Sequence, residues 1–137
     1  VMFSDSVMCD LSAALRAPLS ESNAYSSWQC NDGFPASTNV CDTDTSSTWR
    51  GVTCLGGHVV RISAPTSLLS GSLPTSLGTL TSLTSLDLRS NSIVGTVPSE
   101  LAMIGNMKIL TLSSNSFTGK IPSTFGSFPS IEVLYLD

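Results

Sequence analysis

Hydrophobic residues in this chain follow two rhythms. Between residues 7 and 15, Val7, Met8, Leu11, Ala14 and Leu15 recur at the three-to-four-residue spacing of one helical face. The spacing predicts an amphipathic helix, opened by Ser4 or Ser6 as N-cap and stopped by Pro18. From residue 59 onward the rhythm lengthens. Pro74, Pro98 and Pro122 stand 24 residues apart, as do Gly71, Gly95 and Gly119. The same offset carries Ile62 to Leu86, Leu110 and Leu134, Leu77 to Leu101 and Phe125, and Leu69 to Ile93 and Phe117. It also carries Leu80 to Ile104 and Phe128, Leu83 to Met107 and Ile131, and Asn91 to Asn115. A period of this length marks a stack of like units, none of which buries its apolar face alone. The array divides as 59–82, 83–106, 107–130 and an incomplete fourth unit, 131–137.

Each unit holds one short alternating stretch. Leu86 and Leu88 flank Asp87, so a strand there turns both leucines inward and Asp87 outward. Parallel stacking of such strands sets Leu86, Leu110 and Leu134 one above the next. Asn91 and Asn115 follow their strands, where the turning chain leaves backbone groups without partners. Their amides both donate and accept, which suits that structural task. Gly95 permits close backbone approach, and Pro98 ends a second extended stretch ahead of a short helical turn at Ser99-Glu100-Leu101. The first unit departs from the pattern, with Ser67 in place of the asparagine and Ala64 in place of a leucine. Irregularity is expected where it meets the preceding segment.

Charge divides the chain at the same place. Residues 1–58 hold Asp5, Asp10, Glu21, Asp32, Asp42 and Asp44 against Arg16 and Arg50, whereas 59–137 are neutral in sum. Only 12% of the 137 residues are charged, and polarity comes instead from 26 Ser and 14 Thr. A net charge of -4 with six basic residues excludes electrostatic capture of nucleic acid or of an anionic membrane surface. All four cysteines, Cys9, Cys30, Cys41 and Cys54, lie in the acidic part, among few large apolar residues. They read as a disulfide framework and imply an oxidising compartment. Of the three pairings that four cysteines allow, Cys9–Cys30 with Cys41–Cys54 closes the shortest loops and is favoured. A zinc site is disfavoured, because no C-x-x-C spacing occurs and the single histidine, His58, has no ligand set beside it. Asn39-Val40-Cys41 is the rare cysteine form of a glycosylation sequon and competes with that pairing. No apolar run is long enough to span a bilayer, and Val1 in place of an initiator methionine fits a secretion signal removed or lying outside this sequence.

Written out, the second unit is Leu83-x-x-Leu86-x-Leu88-x-x-Asn91-x-Ile93-x-Gly95-x-Val97-Pro98-x-x-Leu101. It resembles the plant-type leucine-rich repeat, and the resemblance covers residues 59–137. Ser27-Trp28 followed by Trp49-Arg50-Gly51-Val52-Thr53-Cys54 resembles the amino-terminal cap that precedes such repeats. The resemblance implies an α/β solenoid, a right-handed leucine-rich repeat superhelix over 59–137 with a disulfide-stapled N-terminal cap over 1–58. The family's closely spaced cysteine pair does not transfer, because Cys41 stands thirteen residues from Cys54 and Cys9 and Cys30 are added. Trp28 and Trp49 are expected in the core of the cap, and the helix is expected to cover the open end of the first repeat. At the other end, an uncovered apolar interior after Asp137 is the pattern of a fragment. The remaining repeats, a second cap and any membrane anchor or effector domain are expected in a longer parent protein.

No catalytic constellation emerges. His58 sits in a Gly56-Gly57-His58 joint and reads as solvated, the recurring glycines are structural, and Asp42 and Asp44 fall on a loop without a predicted pocket. The reading is therefore no enzyme, no cofactor and no metal. The resemblance leaves room for a kinase domain elsewhere in a longer chain. What remains is the concave sheet face, whose columns read Arg61, Ser85, Ile109, Val133, then Ser63, Asp87, Thr111, Tyr135, then Pro65, Arg89, Ser113, Asp137. Arg and aromatic anchors around an apolar centre suit a protein or peptide partner. The expected function is an extracellular or cell-surface protein- or peptide-recognition module of a receptor-like protein, with Arg61, Ser85, Asp87, Arg89, Ile109, Thr111, Val133 and Tyr135 as its binding residues. The alternative is a secreted or surface-anchored repeat protein without signalling, resembling polygalacturonase inhibitors or protist surface antigens. Neither reading involves nucleic acid or insertion of this segment into a membrane.

Overall fold

Two sheets run side by side along a stack of short units. The computed structural model of the protein describes residues 3–16, 30–31, 34–35, 40–41 and 49–137. Trp28, Pro18, Asp42 and Asp44 lie outside the described residues. Helix α1 (Phe3–Ala14) is followed by strand β1 (Leu15–Arg16), then by the small antiparallel pair β2 (Cys30–Asn31) and β3 (Phe34–Pro35). A hairpin of β4 (Val52–Leu55) and β5 (His58–Ser63), turned by Gly56 and Gly57 at positive φ, leads into the repeats. Thereafter each unit supplies one strand to each sheet. The first sheet adds β7 (Ser85–Asp87), β9 (Ile109–Thr111) and β11 (Val133–Tyr135) to β5, all parallel. The second stacks β6 (Ser70–Ser72), β8 (Ser92–Gly95) and β10 (Ser116–Phe117) in parallel, with β1 antiparallel on its edge. Three 3-10 turns, Thr75–Thr79, Ser99–Met103 and Ser123–Ser127, each follow a proline that cannot extend the preceding strand.

Stacking is in register by whole units. Ile62, Leu86, Leu110 and Leu134 are partners on adjacent parallel strands, and the first three are fully buried. Leu77 and Leu101 are also fully buried, and Phe125 nearly so, beneath the 3-10 turns. Burial of one such leucine contributes roughly 2 kcal/mol, so the shared column is the main source of cohesion. Interunit hydrogen bonds repeat with the same pitch: the Ala64, Leu88 and Leu112 amides donate to Asp87, Thr111 and Tyr135 carbonyls.

The asparagines complete this ladder. After each main strand the chain takes one left-handed residue, Thr66, Ser90 or Ser114, which turns the backbone out of the sheet. Asn91 Oδ1 then accepts from the amides of Ser67 and Leu69, while its Nδ2 donates to the carbonyls of Ala64 and Leu88 at 2.9 and 2.8 Å. Asn115 Nδ2 does the same for Leu88 and Leu112, and its Oδ1 accepts from Ile93. Ser67, in the corresponding place of the first unit, turns its hydroxyl to Pro65 O instead. Nearby Leu68 is left-handed and largely exposed, a local departure specific to this unit. Because Asn91 serves five backbone groups, the Arg89 carbonyl among them, Asn91→Ala is expected to cost about 3 kcal/mol, at about 1 to 3 kcal/mol for each group that relaxation leaves orphaned. Asn115→Ala should cost less, and urea melts of both variants check the order.

The amino-terminal helix differs from its sequence-based outline. Ser4 and Ser6 lie inside α1, so neither is its N-cap, and the helix ends at Ala14 with Leu15 already in a strand. The reason is tertiary. Leu15 and Arg16 pair with Gly71 and Ser70, so the sheet edge takes the backbone bonds that another helical turn would have used. The buried face of Val7, Met8, Leu11 and Leu15 merges with the core of the repeats, and α1 packs on the Thr75–Thr79 turn. Trp49 is buried at the same junction, its carbonyl accepting from the Val52 amide. Disulfides join Cys9 to Cys30 and Cys41 to Cys54, closing sequence separations of 21 and 13 residues. Loops of that size correspond to about 3 kcal/mol each on the chain-entropy model. The Cys41→Ser, Cys54→Ser double variant is accordingly expected to lower stability by about that amount, read as a fall in the urea midpoint.

Candidate functional site

The outward face of the five-stranded sheet gathers the residues singled out from the sequence. The register places Arg61, Ser85, Ile109 and Val133 in one row across β5, β7, β9 and β11. Ser63, Asp87, Thr111 and Tyr135 form the next row. Both rows cross the strands at right angles, giving a step of about 4.8 Å between neighbours. Arg61 is exposed, Ile109 and Val133 are half-buried, and Tyr135 is 58% exposed.

Two of the expected contact residues do not stand free. Ser85 is only 7% exposed and Thr111 5%. Each short side chain is flanked in its row by longer ones, Ser85 by Arg61 and Ile109, Thr111 by Asp87 and Tyr135. Their place is the floor of the face, where a hydroxyl is reached only by a ligand lying across the row. Asp87 and Arg89 are also altered by their surroundings, because they face each other. Arg89 Nε stands 3.6 Å from Asp87 Oδ2, and the Arg89 amide donates to Asp87 Oδ1 at 3.2 Å. The pair holds two opposite charges together at the rim and contributes under about 1 kcal/mol at such exposure. Arg61 has no ion-pair partner among the described residues.

One contributor was missed. Strand β4 extends the face beyond the first unit, and exposed Thr53 lies opposite Arg61 at the head of the first row. Its signal was in the sequence, since Val52 and Cys54 are buried while Thr53 and Leu55 are exposed, an alternation of period two. The resemblance of Trp49–Cys54 to a cap segment does not by itself place Thr53 on the sheet face. His58, opening β5 across from Leu55, is exposed. Among the described residues no cluster of His, Cys, Asp and Glu is placed to hold a metal ion, and no helix is long and apolar enough to cross a membrane.

A strand, an asparagine-capped turn, a lateral strand and a 3-10 turn, repeated every 24 residues around a leucine column, define the leucine-rich repeat fold. The family model for the leucine rich repeat matches residues 81–137. Among solved structures, the chain is similar to the PEPR1–AtPEP1 complex, with 34% identity and a TM-score of 0.79 over 98% of this chain and 18% of that one. It is similar also to the BIR3–SERK2 complex from Arabidopsis thaliana, with 29% identity and a TM-score of 0.74 over 96% of this chain and 68% of that one. A third likeness is to the Arabidopsis receptor kinase HAESA in complex with the peptide hormone IDA and the co-receptor SERK1. There the identity is 26% and the TM-score 0.56, over 93% of this chain and 24% of that one. The chain thus spans less than a fifth of the PEPR1 structure and about a quarter of the HAESA structure.

Proposed function

We propose that this chain is the amino-terminal part of an extracellular recognition module of a receptor-like protein, and that it binds a protein or peptide ligand on the outward face of its five-stranded sheet. Residues 1–58 act as the cap and 59–137 as the recognition repeats. The observation that carries the reading is the sheet face itself. Arg61 on β5 and Tyr135 on β11 are exposed, and Ile109 and Val133 on β9 and β11 are half-buried on the same face, a mixed charged and apolar surface of the kind that protein contacts use. Likeness to receptor ectodomains solved with a peptide hormone and a co-receptor supports it. Two disulfides support an extracellular or cell-surface location. The reading assigns binding, and no catalytic step, to these residues.

The test is a selection of displayed random peptides on the immobilised chain. Tyr135→Ala and Ile109→Lys should each reduce recovery of the selected peptides by about tenfold, the loss of one well-packed anchor. Met103→Lys, at an exposed site on the 3-10 turn away from the sheet, should leave recovery unchanged. Equal recovery by all three variants removes this face as the binding surface.

A further inference from the structure

We propose that the ligand is an extended peptide bearing an acidic side chain about four positions from an aliphatic or aromatic one, with the acid on Arg61 and the apolar residue on Ile109, Val133 and Tyr135. The inference rests on the reading of the sheet face as the recognition surface and specifies what that surface selects.

The face is polarised along its rows. Its cap-proximal half carries Thr53, Arg61 and Asp87 on strands and Arg89 just beyond β7, while the distal strands carry Ile109, Val133 and Tyr135. Within the polar half, Asp87 and Arg89 neutralise each other and Asp87 is held by the Arg89 amide as well. A ligand charge has to break that pair to use either residue. Arg61 alone offers an exposed guanidinium with no ion pair among the described residues, and its row neighbours Thr53 and Ser85 are hydroxyl residues that do not compete for it. Guanidinium selects carboxylate through paired, coplanar hydrogen bonds, which makes an acidic side chain its natural complement.

The spacing follows from the ladder. Ile109 lies two strands from Arg61 and Val133 three, which is about 10 and 14 Å at ordinary strand separation. A peptide laid along the row advances about 3.3 Å per residue and turns every second side chain to the same face, so acid and apolar anchor fall about four positions apart. Ser85 sits low between them, leaving room for the intervening backbone and a hydroxyl to meet it. The acidic surplus of residues 1–58 opposes such a ligand at long range, but its reach is about 8 Å at physiological salt. The dependence on Arg61 is therefore a contact effect and persists there.

The experiment is the same peptide selection at physiological ionic strength, read by sequencing the recovered pool, with Arg61→Glu and Arg61→Lys run alongside. Enrichment of Asp or Glu at the stated spacing from an apolar residue is expected. Arg61→Lys should retain it, and Arg61→Glu should replace the acid by Lys or Arg while lowering capture of wild-type-selected peptides by at least about tenfold. An enriched pool without the acid, or one whose acid survives Arg61→Glu, overturns this inference and leaves the recognition reading standing. No enrichment, or recovery indifferent to Tyr135→Ala and Ile109→Lys, overturns both.

Discussion

Leu86→Asp is expected to leave the repeats unfolded at room temperature, whereas Leu134→Asp, at the equivalent position two units later, should cost only about 1 kcal/mol. Leu86 is fully buried between Ile62 and Leu110 on the flanking strands. The substitution removes a leucine worth roughly 3 kcal/mol with its cavity, and adds a carboxylate with no buried partner. A loss of about 5 kcal/mol or more matches the whole stability of a small domain. Leu134 is 38% exposed, so a carboxylate there keeps contact with water and forfeits only part of the apolar burial. Circular dichroism and urea melts of the two variants decide the matter. A cost at Leu86 as small as that expected at Leu134 would mean that the column is not continuous, and with it would go the account of how the units cohere.

The second large effect concerns the junction of helix and repeats. Gly71→Ala should destabilise the chain by about 4 kcal/mol and release strand β1 from the lateral sheet. Gly71 has φ +105°, a backbone conformation that side chains rarely adopt, and an added Cβ would collide with the Ala14 carbonyl oxygen. Strain of about 1 to 3 kcal/mol from the dihedral therefore adds to a clash with backbone, which yields only if Leu15 and Arg16 move away. Gly56→Ala supplies the control. Its φ is +58°, near the ordinary left-handed region, and an added Cβ meets nothing within 4 Å. It should cost about 1 kcal/mol. Amide exchange at Leu15 and Arg16 should quicken in Gly71→Ala and stay slow in Gly56→Ala; protection retained in both would show that the close approach is not what seats the helix.

Much of this architecture was legible because stacking leaves a period in the chain. Leu86 and Leu110 had to be apolar and Asn91 and Asn115 had to be asparagine for the same reason in each unit, and a constraint repeated at a constant offset is visible without coordinates. The candidate surface was legible only in part. That Arg61, Ile109 and Tyr135 face outward followed from alternation along their strands. That Ser85 and Thr111 lie on the floor did not, because their accessibility is set by residues 24 positions away in either direction. Nor did the pairing of Asp87 with Arg89, which is a matter of rotamer and distance within one unit. The end of α1 was misplaced for a similar reason: the apolar spacing of Ala14 and Leu15 fits a helix, and only the edge of a sheet reached much later in the chain draws Leu15 into a strand.

The linear order of residues by itself determined the repeat length, the inward leucine column, the asparagine-supported turns and the division between an acidic, cysteine-bearing segment and neutral repeats. Each is enforced locally, by the alternation of a strand, the restrictions of glycine and proline, or the unmet bonds of a turning backbone. The tertiary structure alone decided where the helix stops, which hydroxyls of the sheet face are covered and which arginine of that face stands unpaired. The first two outcomes depend on side-chain lengths and backbone approaches between residues far apart in sequence, which exist only once the units are stacked, and the third on the side-chain geometry that brings Arg89 to Asp87.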